Sequence, residues 1–121
     1  MPISRCDAAG FRLMLGLALV VVTWLALTPR PPQLPEVAFA DKWTHLGTFL
    51  VLAFLADASW PDRGFDLPKW ALLLGYGLAI ELLQMRIGSR FFSLADLLAD
   101  AMGIALYGAV VLRALRAVGI R

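Results

Sequence analysis

The sequence contains few charged residues and very little cysteine or histidine. Charged residues make up 17% of the 121 positions and hydrophobic residues 60%, whereas a soluble domain usually has about 25% charged and about 45–50% apolar residues. Cys6 is the only cysteine. A disulfide within the chain is therefore excluded, and so is a cysteine-based metal site. The composition predicts an integral membrane protein.

The sequence also lacks a concentration of positive charge. The formal net charge is only +2, and the basic residues occur singly rather than in runs or along one helix face. Proteins that bind nucleic acid usually present a basic patch or stripe. Nucleic acid is therefore not expected as a partner.

Four apolar segments are each long enough to cross a bilayer, which takes about 20 residues. They cover residues 11–28, 41–60, 67–85 and 94–118, and links containing proline, charge or glycine and serine separate them. These links are too short to hold a soluble domain. The sequence therefore predicts a single domain over residues 1–121, an all-α membrane bundle of four transmembrane helices.

The orientation of the bundle follows from the basic residues beside the spans. Seven lysines and arginines flank the side that carries both termini, and four flank the other side. Because cytoplasmic segments are enriched in lysine and arginine, both termini are expected in the cytoplasm. Trp43, Trp60 and Trp70 fall near predicted span ends, as interfacial aromatic residues do.

Polar residues from three spans are predicted at one depth, near the outer face. His45 lies near the start of the second span, Glu81 near the end of the third, and Asp96 and Asp100 near the start of the fourth. At 1.5 Å per residue, all four lie within roughly 10 Å of the outer boundary. Acids inside a membrane usually face the bundle and pair. We therefore expect one shared outer-face pocket, and no comparable polar set in the inner half.

Several of these residues also have an ordinary structural explanation. Asp96 could act as an acid near a helix start, and Glu81 with Gln84 could join helices. Arg90 could be an interfacial arginine. A ridge of small residues favours close packing beside the same face; it consists of Ala95, Ala99 and Gly103.

Three segments together resemble the VanZ-like family: "DKWTHLGTFLVLAF", "ELLQ" and "SRFFSLADLLADAMGIALYG", spanning about residues 40–110. The residues that carry the resemblance are Asp41, Lys42, His45, Glu81, Gln84, Arg90, Ser93, Asp96, Asp100, Gly103 and Gly108. The first nine of these are the candidate ligand-binding residues. The chain departs from the family pattern at Asp100, where the family usually has asparagine.

The resemblance implies a small multi-pass protein of the bacterial cytoplasmic membrane. The family takes its name from a member linked to resistance to the glycopeptide antibiotic teicoplanin, so a link to glycopeptide resistance is one expectation. No reaction is established for the family as a whole. The resemblance therefore predicts a fold and a site but not a substrate, a cofactor or a catalytic residue.

Three functions remain open at this point. The first is a binding protein for an anionic lipid headgroup or envelope precursor, with Lys42, Arg86 and Arg90 contacting phosphate or carboxylate. The second is a membrane-embedded enzyme, in which His45 acts as a general base or the acids hold a divalent cation. The third is a transporter, which with four short spans would have to be an oligomer.

Overall fold

The computed structural model describes residues 3–28, 40–87 and 93–121, with the backbone alone at residues 5, 40 and 41. All regular secondary structure in these residues is helical, with no strand. Its helices are α1 (Arg5–Leu27), α2 (Ala40–Ser59), α3 (Leu67–Arg86), α4 (Leu94–Leu106) and α5 (Leu112–Ala117). A π-helical turn, Tyr107–Val111, joins α4 to α5. The all-α prediction is confirmed for these residues.

The first helix begins earlier than the hydrophobic pattern predicts, because a capping box starts it. The Ser4 hydroxyl accepts a hydrogen bond from the backbone N–H of Asp7 at 3.1 Å, and the Ser4 backbone N–H donates to Asp7 Oδ2 at 3.1 Å. This reciprocal pair satisfies two backbone groups that a helix start would otherwise leave exposed. The polar turn before the apolar segment is therefore part of α1.

Two helical stretches are long and apolar enough to cross a membrane, Cys6–Leu27 and Leu94–Ala117. Helices α2 and α3 are of similar length, 20 residues each. They are less apolar because they carry buried polar side chains, among them Asp57, Lys69 and Glu81. Among the described residues, two helices are therefore able to span a membrane by length and composition, and four membrane crossings stay a prediction.

The helices run alternately up and down, with α2 in contact with α1, α3 and α4. We call the end where α2 and α4 begin and α3 finishes the site end, and the other end the network end. The buried core between them consists of Phe49, Leu52, Ala53, Ala56, Leu73, Ile104, Tyr107 and Leu112. Of the predicted small-residue ridge, Ala99 and Gly103 are buried whereas Ala95 is exposed, so only part of the ridge packs.

The outer surface of the bundle is strongly apolar. Along α1, Leu13, Leu17, Val20 and Trp24 are each 59–68% exposed. Contiguous apolar surface of this kind marks a contact with lipid or with another protein. Trp43, Trp60 and Trp70 are also exposed, as the predicted interfacial position requires.

Candidate functional site

The site end brings together side chains from the first turns of α2 and α4. Lys42 and His45 are three residues apart and share one face of α2, and Asp96 and Asp100 are four apart on α4. Lys42 Nζ donates to Asp96 Oδ1 at 2.5 Å, and His45 Nδ1 donates to Asp100 Oδ1 at 2.8 Å. His45 Nε2 lies 3.6 Å from Asp96 Oδ2. The structure thus brings together His45, Asp96 and Asp100, three of the residues expected in one pocket, with Lys42 beside them.

Glu81 of α3 joins the site by a hydrogen bond to the start of α4. The backbone N–H of Ser93 donates to Glu81 Oε2 at 3.1 Å, while Ser93 Oγ accepts from the backbone N–H of Asp96 at 3.1 Å. Ser93 is thus the N-cap of α4, and a serine N-cap stabilises a helix by about 1 kcal/mol. The cap fixes the position of Asp96 relative to Glu81.

The site has two layers that differ in exposure. Glu81, Asp96 and Asp100 are at most 1% exposed. By contrast, the Lys42 side chain is 29% exposed and that of His45 18%. The side chains that reach the surface are therefore the amine and the imidazole, and the carboxylates lie beneath them.

A close backbone approach holds Asp100 in place. Gly77 of α3 lies so near that a Cβ atom on it would be 2.7 Å from Asp100 Oδ2. A real Cβ cannot approach that closely, so glycine is needed here unless Asp100 moves. Helices α2, α3 and α4 therefore all constrain this carboxylate.

Three side chains at the site end are arranged so that they could share a metal ion. His45, Glu81 and Asp96 each offer one ligand atom, and these atoms lie within 4.8 Å of one another. Imidazole nitrogen with carboxylate oxygens is a donor set used by divalent transition metals in proteins.

The remaining predicted residues have other positions. Arg90 lies outside the described residues, and so does the side chain of Asp41. Gln84 is buried, and its Nε2 donates to the backbone carbonyl of Ala26 in α1 at 2.8 Å. This bond links α3 to α1, in line with the interpretation of Gln84 as a joint between helices.

The prediction that the inner half has no comparable polar set is wrong. At the network end Asp57 of α2 is fully buried. It accepts hydrogen bonds from Lys69 Nζ at 2.7 Å and from the Tyr107 hydroxyl at 2.5 Å. Arg121 donates to both of its oxygens, each at 2.9 Å. Asp57 is thus the centre of a second polar cluster.

Backbone carbonyls complete this cluster. Lys69 Nζ also donates to the carbonyls of Trp60 and Arg63 at 3.0 and 2.8 Å, and Arg121 Nη1 donates to that of Pro61 at 2.9 Å. Hydrogen bonds to Asp57 raise the pKa of Arg121, so its charge persists. The cluster joins the α2–α3 link to Arg121. Its charged side chains are paired with one another and with backbone carbonyls, as expected of a structural network.

One signal in the sequence could have found it. Asp57 lies in the last turns of α2, where the helix dipole disfavours an acid, and inside a predicted span, where an acid is costly. An acid that violates both preferences indicates a buried partner. Arg63 and Lys69 are the first cations that follow Asp57 in the sequence, and Lys69 is the one that is buried beside it.

Comparison with known proteins found no match: no family model, no curated protein and no solved structure matches this chain.

Proposed function

We propose that the protein spans the membrane four times and binds an anionic lipid headgroup or a phosphorylated envelope precursor at the site end. One observation carries the proposal. The part-exposed side chains of the cluster are Lys42 and His45, and buried carboxylates hold both of them in position. A pre-positioned lysine ammonium group at a membrane surface suits a phosphate.

The proposed membrane location rests on helix length and on the distribution of polarity. Helices α1, α2 and α3 and the stretch Leu94–Ala117 contain 20 to 24 residues each. At 1.5 Å per residue this is about 30–36 Å, enough to cross a hydrocarbon core of about 30 Å. Large apolar side chains face outward, and the charged side chains at the site end and the network end pair inside. This is the pattern expected when lipid is the solvent.

The proposed ligand class rests on the geometry of the rim of the site end, which consists of Lys42 and Arg86. Lys42 is held by Asp96, so little side-chain entropy remains to be lost when an anion binds. Arg86, at the last residue of α3, adds an exposed guanidinium at the same end. A guanidinium can contact phosphate through two parallel hydrogen bonds.

The proposal puts the site end at the periplasmic face of a bacterial inner membrane, with both termini cytoplasmic. The basic residues beside the spans support this orientation. Membership of the VanZ-like family and a link to glycopeptide resistance stay predictions, because they rest on the sequence resemblance alone.

Lipid-resolved native mass spectrometry tests the proposal. The protein would be released from nanodiscs of equal phosphatidylglycerol and phosphatidylcholine, and the retained lipid identified. We expect preferential retention of phosphatidylglycerol, weakened about tenfold or more in Lys42→Gln, because a hydrogen bond to a charged group contributes about 1.5–3 kcal/mol.

Two further variants make this experiment decisive. Arg86→Gln removes an exposed rim cation, and it should also weaken retention. Arg113→Gln removes an exposed cation near the network end and should leave retention unchanged. Equal retention in wild type, Lys42→Gln and Arg86→Gln would refute headgroup binding at this rim.

A membrane-embedded enzyme is the second candidate function. The hydrogen bond from His45 to Asp100 is the arrangement that orients a histidine general base. If the site hydrolyses its ligand, headgroup release from labelled phosphatidylglycerol should depend on His45 and be lost in His45→Gln. Retention of intact lipid by the wild-type protein favours binding without catalysis.

A further inference from the structure

We infer that His45, Glu81 and Asp96 form a divalent metal site at the site end, beneath the proposed headgroup rim. This inference goes beyond headgroup binding and does not depend on it. Its ligands come from α2, α3 and α4, so the ion would join three helices at one point.

The spacing of the donor atoms suits a common ion. At metal–ligand distances of about 2.0–2.2 Å, neighbouring ligand atoms in a tetrahedral site lie roughly 3.3–3.6 Å apart. His45 Nε2 and Asp96 Oδ2 are 3.6 Å apart, and the full set of three lies within 4.8 Å. Side-chain shifts shorter than a metal–ligand bond would bring all three ligand atoms within bonding distance of one ion.

The hydrogen bonds around the ligands have the arrangement found behind metal-binding histidines. Asp100 accepts from His45 Nδ1 at 2.8 Å, which selects the tautomer whose Nε2 carries the lone pair. That nitrogen is the one that lies near Asp96. Metal-ligating histidines almost always donate their other N–H to such a partner, which fixes the ring and raises its basicity.

The two carboxylate ligands are oriented in the same manner. Asp96 Oδ1 accepts from Lys42, while Oδ2 lies on the side of His45. Glu81 Oε2 accepts from the backbone of Ser93. Ligands whose orientation is fixed before the ion binds lose little entropy on binding it.

The donor set selects the class of metal. One imidazole nitrogen with two carboxylates suits Zn²⁺ or Mn²⁺, whereas Mg²⁺ prefers oxygen ligands and retains its water. Three protein ligands leave coordination positions open, as catalytic zinc sites do.

Metal binding is tested with the ions alone, in detergent and without added lipid. Chelator-treated protein would be titrated with Zn²⁺, Mn²⁺ and Mg²⁺, and both thermal unfolding and the metal retained after gel filtration measured. We expect Zn²⁺ or Mn²⁺ to raise Tm and to be retained. His45→Ala and Glu81→Gln should abolish both effects.

Two variants separate this site from the headgroup rim and from surface binding. Asp100→Asn should weaken metal affinity about 10- to 100-fold, the usual effect of removing a partner behind a ligand. Lys42→Gln should retain or strengthen metal binding while it weakens phosphatidylglycerol retention. Asp66→Asn, an exposed acid at the network end, should behave as wild type.

X-ray absorption of the Zn²⁺-loaded wild-type protein provides a test that needs no variant. We expect a nitrogen and oxygen shell that contains one imidazole. A shell without imidazole, no rise in Tm with Zn²⁺ or Mn²⁺, or the same rise in His45→Ala as in wild type would each overturn the metal site. Failure of phosphatidylglycerol retention with metal binding intact would overturn the proposed function alone.

Discussion

Gly103 of α4 lies directly against the backbone carbonyl of Leu46 in α2. A Cβ atom on Gly103 would be 2.2 Å from that oxygen and 3.0 Å from the backbone nitrogen of Leu50. The obstacle is backbone, which cannot rotate away as a side chain can. This contact sets the distance between α2 and α4, and with it the spacing of His45 and Asp100.

Gly103→Ala is therefore expected to destabilise the protein strongly. Forcing extra volume into a packed contact costs about 1–3 kcal/mol, and here both helices would have to separate. Thermal unfolding in detergent measures the effect. The control is Gly47→Ala, one residue beyond Leu46, where a Cβ meets nothing within 4 Å. Equal Tm values for the two variants would contradict the close packing.

The network end should make a large contribution to stability. Asp57→Asn leaves the buried Lys69 and the Arg121 guanidinium without their carboxylate, and breaking a buried pair costs about 3–5 kcal/mol. Tyr107→Phe removes one hydrogen bond to the charged group and should cost about 1.5–3 kcal/mol. Chemical denaturation ranks the two variants.

The matched control at this end is Asp66→Asn. Asp66 is exposed, and its side chain does not cap α3. It acts on Lys69 only through an exposed charge, so the substitution should change stability by at most about 1 kcal/mol. If Asp57→Asn were as stable as this control, the cluster would not be a structural network. A functional role for Asp57 would then have to be sought.

The sequence was sufficient for the helices and for most of the site end. Helix positions follow from hydrophobic runs, and the position of His45, Glu81 and Asp96 at one end of the bundle follows from counting residues along them. The network around Asp57 was not predicted, because Lys69 and Arg121 were interpreted only as basic residues beside the spans. Arg121 reaches Asp57 only once the helices are packed, and Tyr107 appears in the sequence as an ordinary aromatic core residue.

The contact between Gly77 and Asp100 could not be predicted from the sequence either. Glycines in an apolar helix cannot be told apart by sequence. Only the packed structure shows that a Cβ on Gly77 would meet Asp100, whereas a Cβ on Gly75 would meet nothing within 4 Å among the described residues. Residue spacing thus predicts which side chains share one face of a helix. Contacts between helices depend on their rotation about their axes, which a single sequence constrains weakly.

Orientation can be measured through Cys6, the only cysteine in the chain. Cys6 is exposed near the start of α1, so the native sequence needs no engineered label. If both termini are cytoplasmic, a membrane-impermeant maleimide should label Cys6 only after the cells are permeabilised. Labelling of Cys6 in intact cells would reverse the predicted orientation and put the site end in the cytoplasm.

The last prediction concerns the contact between Gly77 and Asp100. In Gly77→Ala the new Cβ would lie 2.7 Å from Asp100 Oδ2 and 3.1 Å from the Phe49 ring, so the carboxylate must turn. Because Asp100 orients His45, we expect metal affinity to fall several-fold. Metal titration measures this loss, and Gly75→Ala on the same helix is the control.

A double-mutant cycle shows whether the loss passes through Asp100. In an Asp100→Ala background the carboxylate that Gly77→Ala displaces is gone, so the added methyl group should have little further effect on metal affinity. Residues in contact typically show interaction energies of about 0.5–3 kcal/mol in such cycles. If Gly77→Ala reduced affinity equally in both backgrounds, it would act through Phe49 and general packing, and Asp100 would not be the residue that positions His45.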